Sequence, residues 1–459
     1  MGTLSSGLNI ALQSLLTEQG AIATTSNNIA NVNTPGYARQ RPDIAETAPV
    51  TIGDLTFGTG VQLQQVVSLR DSVLDLRVNH ETQQAGQLSA FLGSGQQIQQ
   101  LFNEAAGTGL QAPLTAFFNS LSQLSTNPSD VNARQGVLTA AQNLSTAFNH
   151  ASANLTTIQS GVDLSVSQSV SQINTLTKQI AQVNTQVEAA QSAGQNSGPF
   201  ADQRQQLINQ LSSLVDVSEI DAHNGALTLT TSSGAALVVG GQSFQLTTQI
   251  DPVTSLQHVF SQGADITSRI TGGQLAGQIQ IRDREIPGIQ ASLDTLASGL
   301  ATAVNTQNQA GFDLNGVAGG NLFVPPPAGG AGAAAVLALA TTDPTKIAAS
   351  SDGTAGNNAN ANALLALQNQ PIAGGQTPLN SYSGLVFKIG SDVSNAQTEQ
   401  QSNSLILQQV QNLQGGVSGV NINEEAANLI RYQNAYQASA QVSSVINSLL
   451  QTTINLVQP

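Results

Sequence analysis

The stretch SNNIANVNTPGY, residues 26–37, decides how the first part of this chain folds. It closes a run with a seven-residue apolar repeat, formed by Leu8, Leu15, Ile22 and Ile29. Such a repeat on a helix is typical of a coiled-coil seam. Pro35 and Gly36 end the helix, because proline disfavours the α region at the preceding residue and glycine accepts a positive φ. The chain therefore opens with a helix that needs a partner.

A second seam of the same kind lies at the other end of the chain. Its seven-residue row is Ala435, Val442, Leu449 and Leu456, with Tyr432 and Ile446 at intervening positions. Asn421 and Glu424 have the spacing of a capping box, and Glu424 and Glu425 lie where a helix dipole favours negative charge. Neither terminal helix has a partner nearby in sequence. We therefore predict that residues 1–35 and 420–459 pair as a terminal coiled-coil domain.

The sequence between the ends predicts a mainly α protein with an inserted β domain. Residues 36–70 are punctuated by proline and glycine and predict an extended spacer. Long helical patterns predict a rod-like bundle, and the clearest row is Val166, Ile173, Ile180 and Val187. This helical rod domain is predicted to comprise residues 71–214, 272–311 and 346–419.

A small β-rich outer domain is predicted for residues 215–271. Asn224-Gly225 lies between two strand-like runs and is a strong hairpin signal, and further turns follow at short spacing. Whether residues 312–345 join this domain is left open, because they contain a low-complexity linker rich in proline and glycine.

Composition excludes several classes of function. Charged residues make up 9 % of the 459 residues, against about 25 % in an average soluble protein, and the net charge is −14. An acidic chain without basic clusters argues against nucleic-acid binding and against docking on an anionic membrane surface. The absence of cysteine removes disulfides, thiolate chemistry and Cys-ligated zinc. The first residues also lack the pattern of a secretory signal.

Catalytic signatures are also missing. The four histidines, His80, His150, His223 and His258, fall in no known catalytic motif. Asp283 and Glu285 are expected to pair with neighbouring arginines on a solvated helix rather than to act as acid and base. We therefore expect a protein that is not an enzyme, with no catalytic residues, no cofactor and no metal.

The sequence resembles the axial proteins of the bacterial flagellum. Residues 26–37 look like the N-terminal signature shared by rod, hook and hook-associated proteins. SGVNINEEAANLI (418–430) and YQNAYQASA (432–440) are similar to the hook-associated protein 1 family, whose members form the first hook–filament junction. ADQRQQL (201–207) and GFDLNG (311–316) also look like internal stretches of that family.

This resemblance implies a secreted structural adaptor in the extracellular flagellum. Subunits would leave the cell unfolded through type III export and assemble as a ring, with the paired terminal helices lining the tube. The implied partners are copies of the chain, the hook protein, the second junction protein and a cytosolic export chaperone that binds the C-terminal helix. No nucleic acid and no membrane are expected. The assembly interface is expected to comprise Leu8, Leu15, Ile22, Asn27, Asn28, Ile29, Asn31, Pro35, Gly36, Tyr37, Asn421, Glu424, Glu425, Leu429, Tyr432, Tyr436, Val442, Ile446, Leu449 and Leu456.

Two other readings remain open from the sequence alone. One is a flagellar hook or distal-rod protein, and the other is a secreted enzyme or adhesin that uses the β domain. Within the preferred reading, we hypothesise that Asn27, Asn28, Asn31 and Asn33 fix orientation through hydrogen bonds to neighbouring subunits.

Overall fold

The computed structural model describes residues 2–52, 54–221 and 225–457, and most of them are helical. The helices are α1 (Gly2–Ala30), α2 (Ser72–Leu101), α3 (Gln111–Thr126), α4 (Val131–Ser192), α5 (Gly198–Leu214), α6 (Gly273–Gln280), α7 (Ile286–Gln309), α8 (Ala333–Val336), α9 (Ala359–Ala366), α10 (Pro378–Ser418) and α11 (Ile422–Val457). A π-helical turn, Ile281–Glu285, joins α6 to α7. The predicted mainly α architecture with a β insertion is confirmed.

The strands form four small antiparallel sheets among the described residues. They are β1 (Gln40–Glu46), β2 (Val50–Ile52), β3 (Leu55–Phe57), β4 (Val61–Ser68), β5 (Ser218–Asp221), β6 (Leu227–Thr230), β7 (Ala236–Val239), β8 (Gln242–Ser243), β9 (Leu246–Ile250), β10 (Gln257–Ser261) and β11 (Ala264–Asp265). β1 pairs with β4 and β2 with β3, so the predicted spacer is a hairpin ribbon. The later strands are ordered β5-β6-β7-β8 and β11-β10-β9.

The first and last helices, α1 and α11, pack side by side in opposite directions, as the two seams predict. The Ser14 hydroxyl lies 2.8 Å from that of Ser439. Gly7 faces Ile446 so closely that an added Cβ would lie 3.2 Å from its Cδ1. Leu8, Leu15, Ile22 and Ile29 are half-buried along this pair.

The C-terminal seam includes the predicted Tyr432, Ala435 and Ile446, but after Ala435 it departs from the predicted seven-residue row. Val442 and Leu449 are exposed, whereas Ser443, Ile446 and Leu450 are half-buried. Small residues such as Gly7 and Ser14 let the helices approach closely, so that Ile446 lies directly against Gly7. The helix includes Leu456, whose side chain lies outside the described part of the chain.

Two hydrophobic cores organise the middle of the chain, and α4 runs through both. Its N-cap is Asp130, whose carboxylate accepts from the Asn132 N–H. The first core joins α2, α3, α7, α9 and α10 to the N-terminal half of α4, for example at Leu144 and Phe148. The second core joins the β-rich segment to Val166, Ile173 and Ile180 of the same helix.

The β-rich segment packs on α4, α5 and α6 through Leu229, Val238 and Val259, which are fully buried. The predicted hairpin at Asn224-Gly225 joins β5 to β6, which are paired, but Asn224 and His223 lie outside the described residues. The boundaries of the domains, including this one, remain predictions.

Two details go beyond what the sequence predicts. Residues 312–345 pack on the first, helical core through Leu322, Phe323 and Leu337, and not on the β-rich segment, because their apolar side chains fill space beside α7. The expected pairing around Asp283 is present, since Asp283 and Arg284 are exposed and Arg284 Nε lies 3.1 Å from Glu285 Oε1. Arg282, in contrast, is fully buried. Its Nη1 lies 2.7 Å from Asp163 Oδ1, and its Nε lies 2.6 Å from Asp283 Oδ1.

Candidate functional site

A polar cluster joins the two ends of the chain to the helical middle, and we call it the terminal joint. It comprises Asn28, Tyr37, Arg39, Gln40, Asp202 and Glu425. The turn after α1 creates it, since Gly36 adopts a φ of +75° and the chain returns beside the helix it has just left. This brings residues 37–40 within reach of Asn28.

Asn28 uses its whole amide group in this joint. Its Oδ1 accepts from the Tyr37 hydroxyl (2.8 Å) and the Gln40 N–H (2.9 Å), and its Nδ2 donates to the Gln40 carbonyl (2.7 Å). The side chain thus pairs with both backbone groups of Gln40, as a neighbouring strand would. Only an amide carries a donor and an acceptor in this arrangement, which explains the residue type.

Glu425, at the start of α11, is the point where the C-terminal end enters the joint. Its Oε2 accepts from Asn28 Nδ2 (2.9 Å), and its Oε1 accepts from Arg39 Nε (2.8 Å). Arg39 also reaches Glu424 Oε2 (2.8 Å), and its backbone N–H donates to the Ser418 carbonyl (2.8 Å). Glu425 is 2 % exposed, so these partners take the place of water around its carboxylate. The two glutamates therefore do more than start a helix.

Asp202 on α5 ties the joint to the helical middle. Its Oδ2 accepts from the Ala38 N–H (3.0 Å), and its Oδ1 accepts from Arg70 Nη2 (2.6 Å). Arg70 in turn lies 3.4 Å from Asp75 on α2. Burial raises the pKa of the Asp202 carboxyl above its usual value, although the Arg70 and Ala38 hydrogen bonds oppose the rise.

Burial also affects the Tyr37 phenol, which is protonated at neutral pH even without a shift. It raises the pKa of Tyr37 to about 12, and the carboxyl groups of Asp202 and Glu425 add to the rise. Tyr37 therefore stays a hydrogen-bond donor to Asn28 over the whole physiological range.

The joint has further links on both sides. Gln206 Nε2 donates to the Pro35 carbonyl, Asn196 Nδ2 donates to Gln40 Oε1 (3.1 Å), and Gln414 Nε2 donates to Asp75 Oδ1. These contacts bring α5 and the end of α10 to the same place. They also give the stretch at 201–207 a structural role, which the sequence interpretation had not assigned.

Of the predicted interface residues, the structure brings Asn28, Tyr37 and Glu425 together in the joint. Asn27 and Asn31 bond to each other on the surface at 2.8 Å, and Asn421 Oδ1 accepts from the Asn423 N–H at 3.0 Å. The remaining described ones lie along the two helices or at the turn. Leu429, Tyr432 and Ile446 are half-buried, whereas Pro35, Gly36, Tyr436, Val442 and Leu449 are exposed.

Sequence reasoning missed Arg39, Gln40, Arg70 and Asp202. Arg39 carried a usable signal, because it is the first basic residue of a chain whose opposite end has the pair Glu424-Glu425. Because both ends of the chain carry few charged residues, a basic residue at one end and acidic residues at the other are good candidates for a contact. The hypothesis that Asn28 reaches a neighbouring subunit is wrong, since this residue is 1 % exposed and bonded within the chain.

The described residues contain no cluster of three acidic or histidine side chains that could hold a metal ion. Within the same ranges, every helix is too short or too polar to traverse a lipid bilayer. The geometry of the joint suits mechanical attachment of the paired ends to the middle.

Comparisons with families match three separate stretches of the chain. The family model described as "Flagellar hook-associated protein FlgK helical domain" matches residues 95–323. "Flagella basal body rod protein" matches residues 8–37, and "Flagellar basal body rod FlgEFG protein C-terminal" matches residues 414–456. Asp202 lies in the first match, and the other joint residues lie in or just beyond the two terminal matches.

Individual proteins are similar over nearly the full length. Flagellar hook-associated protein 1 of Bacillus subtilis (strain 168) is 30 % identical, covering 98 % of this chain and 97 % of the relative. The protein of that name from Escherichia coli (strain K12) is 27 % identical, covering 99 % of this chain and all of the relative. The structure of the flagellar hook junction protein FlgK from Burkholderia pseudomallei shares the fold, with a TM-score of 0.66 at 20 % identity. It covers 74 % of this chain and 100 % of that chain.

Proposed function

This chain belongs to the flagellar hook-associated protein 1 family, and on that premise we propose that it is a structural adaptor joining the hook of the bacterial flagellum to the filament. A role in a structural assembly, rather than in catalysis, follows from membership of this family. The similarity of the middle of the chain to a hook-associated helical domain favours the junction over a hook or distal-rod position.

The observation that carries this proposal is the terminal joint. It holds both ends of one chain together, so that α1 and α11 extend from the helical middle as one paired unit. That unit keeps apolar side chains uncovered, among them Leu12 and Leu16 on α1 and Val445 and Leu449 on α11. Large exposed apolar surfaces mark interaction sites, and here the surface belongs to the element expected to line the tube.

The proposed partners follow from this arrangement. Copies of the chain would form a ring through the terminal helix pair, with the hook protein on one side and the second junction protein on the other. Before type III export, a cytosolic chaperone would cover the apolar stripe of α11. The assembled protein would lie in the extracellular flagellum, and the interface would use the residues predicted above, with Asn28 and Glu425 acting from inside the joint.

Electron microscopy of a strain that lacks this chain tests the proposal. We expect complete hooks without filaments, together with unassembled filament subunits in the medium. Re-expression of the intact chain should restore the filaments. A strain without hooks would instead place the protein in the rod or the hook, and normal filaments would contradict the adaptor role.

A further inference from the structure

The hairpin of β2 and β3 carries an apolar face that its own chain leaves uncovered. Val50 pairs with Phe57, Thr51 with Thr56, and Ile52 with Leu55. Because successive side chains of a strand alternate between faces, Val50, Leu55 and Phe57 share one face, and Thr51 and Thr56 share the other. The two threonine hydroxyls lie 3.4 Å apart, as this sidedness requires.

All three apolar side chains are open to solvent. Val50 is 50 % exposed, Leu55 65 % and Phe57 49 %, and neither hydrophobic core includes them. A two-stranded hairpin alone is marginally stable in water, so such a face calls for a cover.

The hairpin is nevertheless held in a defined direction. The Thr47 N–H donates to the Gly60 carbonyl (2.9 Å), the Thr47 and Thr59 hydroxyls lie 2.7 Å apart, and Thr59 also donates to the Ala48 carbonyl (2.7 Å). These bonds extend the β1–β4 ribbon into the hairpin. That ribbon already packs on α1, where Thr17 donates to the Val61 carbonyl (3.3 Å) and Gly60 lies against Ile10.

A surface that could cover the hairpin lies on α1 itself. Its exposed described positions are Ser5, Asn9, Leu12, Gln13, Leu16, Gln19, Ala23, Ser26, Asn27 and Ala30, and none of them is charged. Leu12 is 53 % and Leu16 60 % exposed, and a spacing of four residues places them on one face. Both apolar surfaces are thus uncovered within one chain, and no charge on the α1 face opposes their contact.

We propose that the apolar face of the β2–β3 hairpin docks on the exposed Leu12–Leu16 face of α1 in a second copy of this chain. The inference rests on the proposed ring. Two unlike surfaces make a head-to-tail contact, which repeats from copy to copy and can close a ring. A contact between two identical hairpins would end at a dimer. The interface also continues one that exists inside the chain, where the same ribbon packs on the same helix.

Cysteine cross-linking in assembled flagella tests this contact, because the chain has no cysteine of its own. Leu55→Cys combined with Leu16→Cys, oxidised in isolated hook–filament preparations, should give a ladder of dimers, trimers and larger products. The matched control is Thr56→Cys with Leu16→Cys, which places the thiol on the opposite face of the hairpin and should give no ladder.

Each outcome separates this inference from the proposed function. If the double variant is present at the junction but gives no ladder, the docking contact is wrong and the adaptor role stands. An equal ladder from the Thr56 control, or dimers from Leu55→Cys alone, would also overturn it. Absence of the cysteine-free chain from the preparation would overturn the proposed function and the inference with it.

Discussion

Asn28 is the residue at which the two ends of the chain meet. Its amide satisfies two backbone groups of Gln40, the Tyr37 hydroxyl and the buried carboxylate of Glu425. A polar group buried without a partner costs roughly 1–3 kcal/mol. Because the Asn28 side chain satisfies several such groups, the stability of the terminal joint depends on this one residue.

We predict that Asn28→Ala weakens the attachment of the helix pair by about 3 kcal/mol, because it leaves buried groups of Gln40 and Glu425 unpaired. Hydrogen exchange of the α1 amides in the purified chain should accelerate by roughly 100-fold. Asn27→Ala is the matched control, since Asn27 is exposed and its side chain bonds only to Asn31 among its described contacts. Equal protection in both variants would show that the joint does not hold the pair.

At this scale the sequence indicated where the important residues lie but not what they contact. The sequence of residues 26–37 predicts the end of a helix whose asparagines act between subunits. Asn28 instead acts inside the chain, because the turn at Gly36 brings Gln40 back to it. A contact made by a return of the chain depends on backbone geometry that a list of residue types does not contain.

At the scale of elements, the α1–α11 pair has one face for its own partner and another for the outside. Ile446 of α11 faces Gly7 of α1, whereas Leu449, three residues later, is exposed. The two residues are of similar size and hydrophobicity. Ile446 lies within the contact with α1 and Leu449 lies at the exposed edge beside it, so substitutions at the two positions distinguish folding of the pair from assembly.

We predict that Ile446→Asp opens the helix pair in the free chain, since an unpaired charge at the contact costs about 2–3 kcal/mol. Leu449→Asp should leave the hydrogen exchange of α1 and α11 unchanged and yet prevent filament attachment in cells. Equal loss of protection in the two variants would contradict the assigned faces. Normal filaments with Leu449→Asp would show that assembly does not use the exposed face.

At the scale of the whole molecule, the terminal pair and the helical middle are separate packing units. Neither hydrophobic core contains a described residue of α1 or α11. The terminal joint connects the two units through polar contacts. The hydrophobic cores of the middle are therefore buried without any contribution from the helix pair.

Removal of residues 1–35 and 420–459 should therefore leave a folded middle. We expect its melting temperature to stay within about 3 °C of the main transition of the intact chain, because both cores are retained. The same truncated chain should fail to restore filaments in a strain that lacks the protein. Calorimetry and electron microscopy measure the two effects, and filaments restored by the truncated chain would contradict the role of the terminal pair.

The sequence by itself determined the class of the fold, the pairing of the two ends and the family. The first two follow from local patterns: apolar repeats such as Leu8 to Ile29, the Pro35-Gly36 stop, and the row from Val166 to Val187. The family follows from the resemblance of residues 26–37 and 418–440 to its members. Only the tertiary structure decided that Arg39 and Asn28 bind Glu425, that residues 312–345 fill the helical core, and that Leu449 faces outward. Asn28 and Glu425 are 397 positions apart. A contact over that separation depends on every intervening turn and packing angle, and periodicity along the chain carries no information about it.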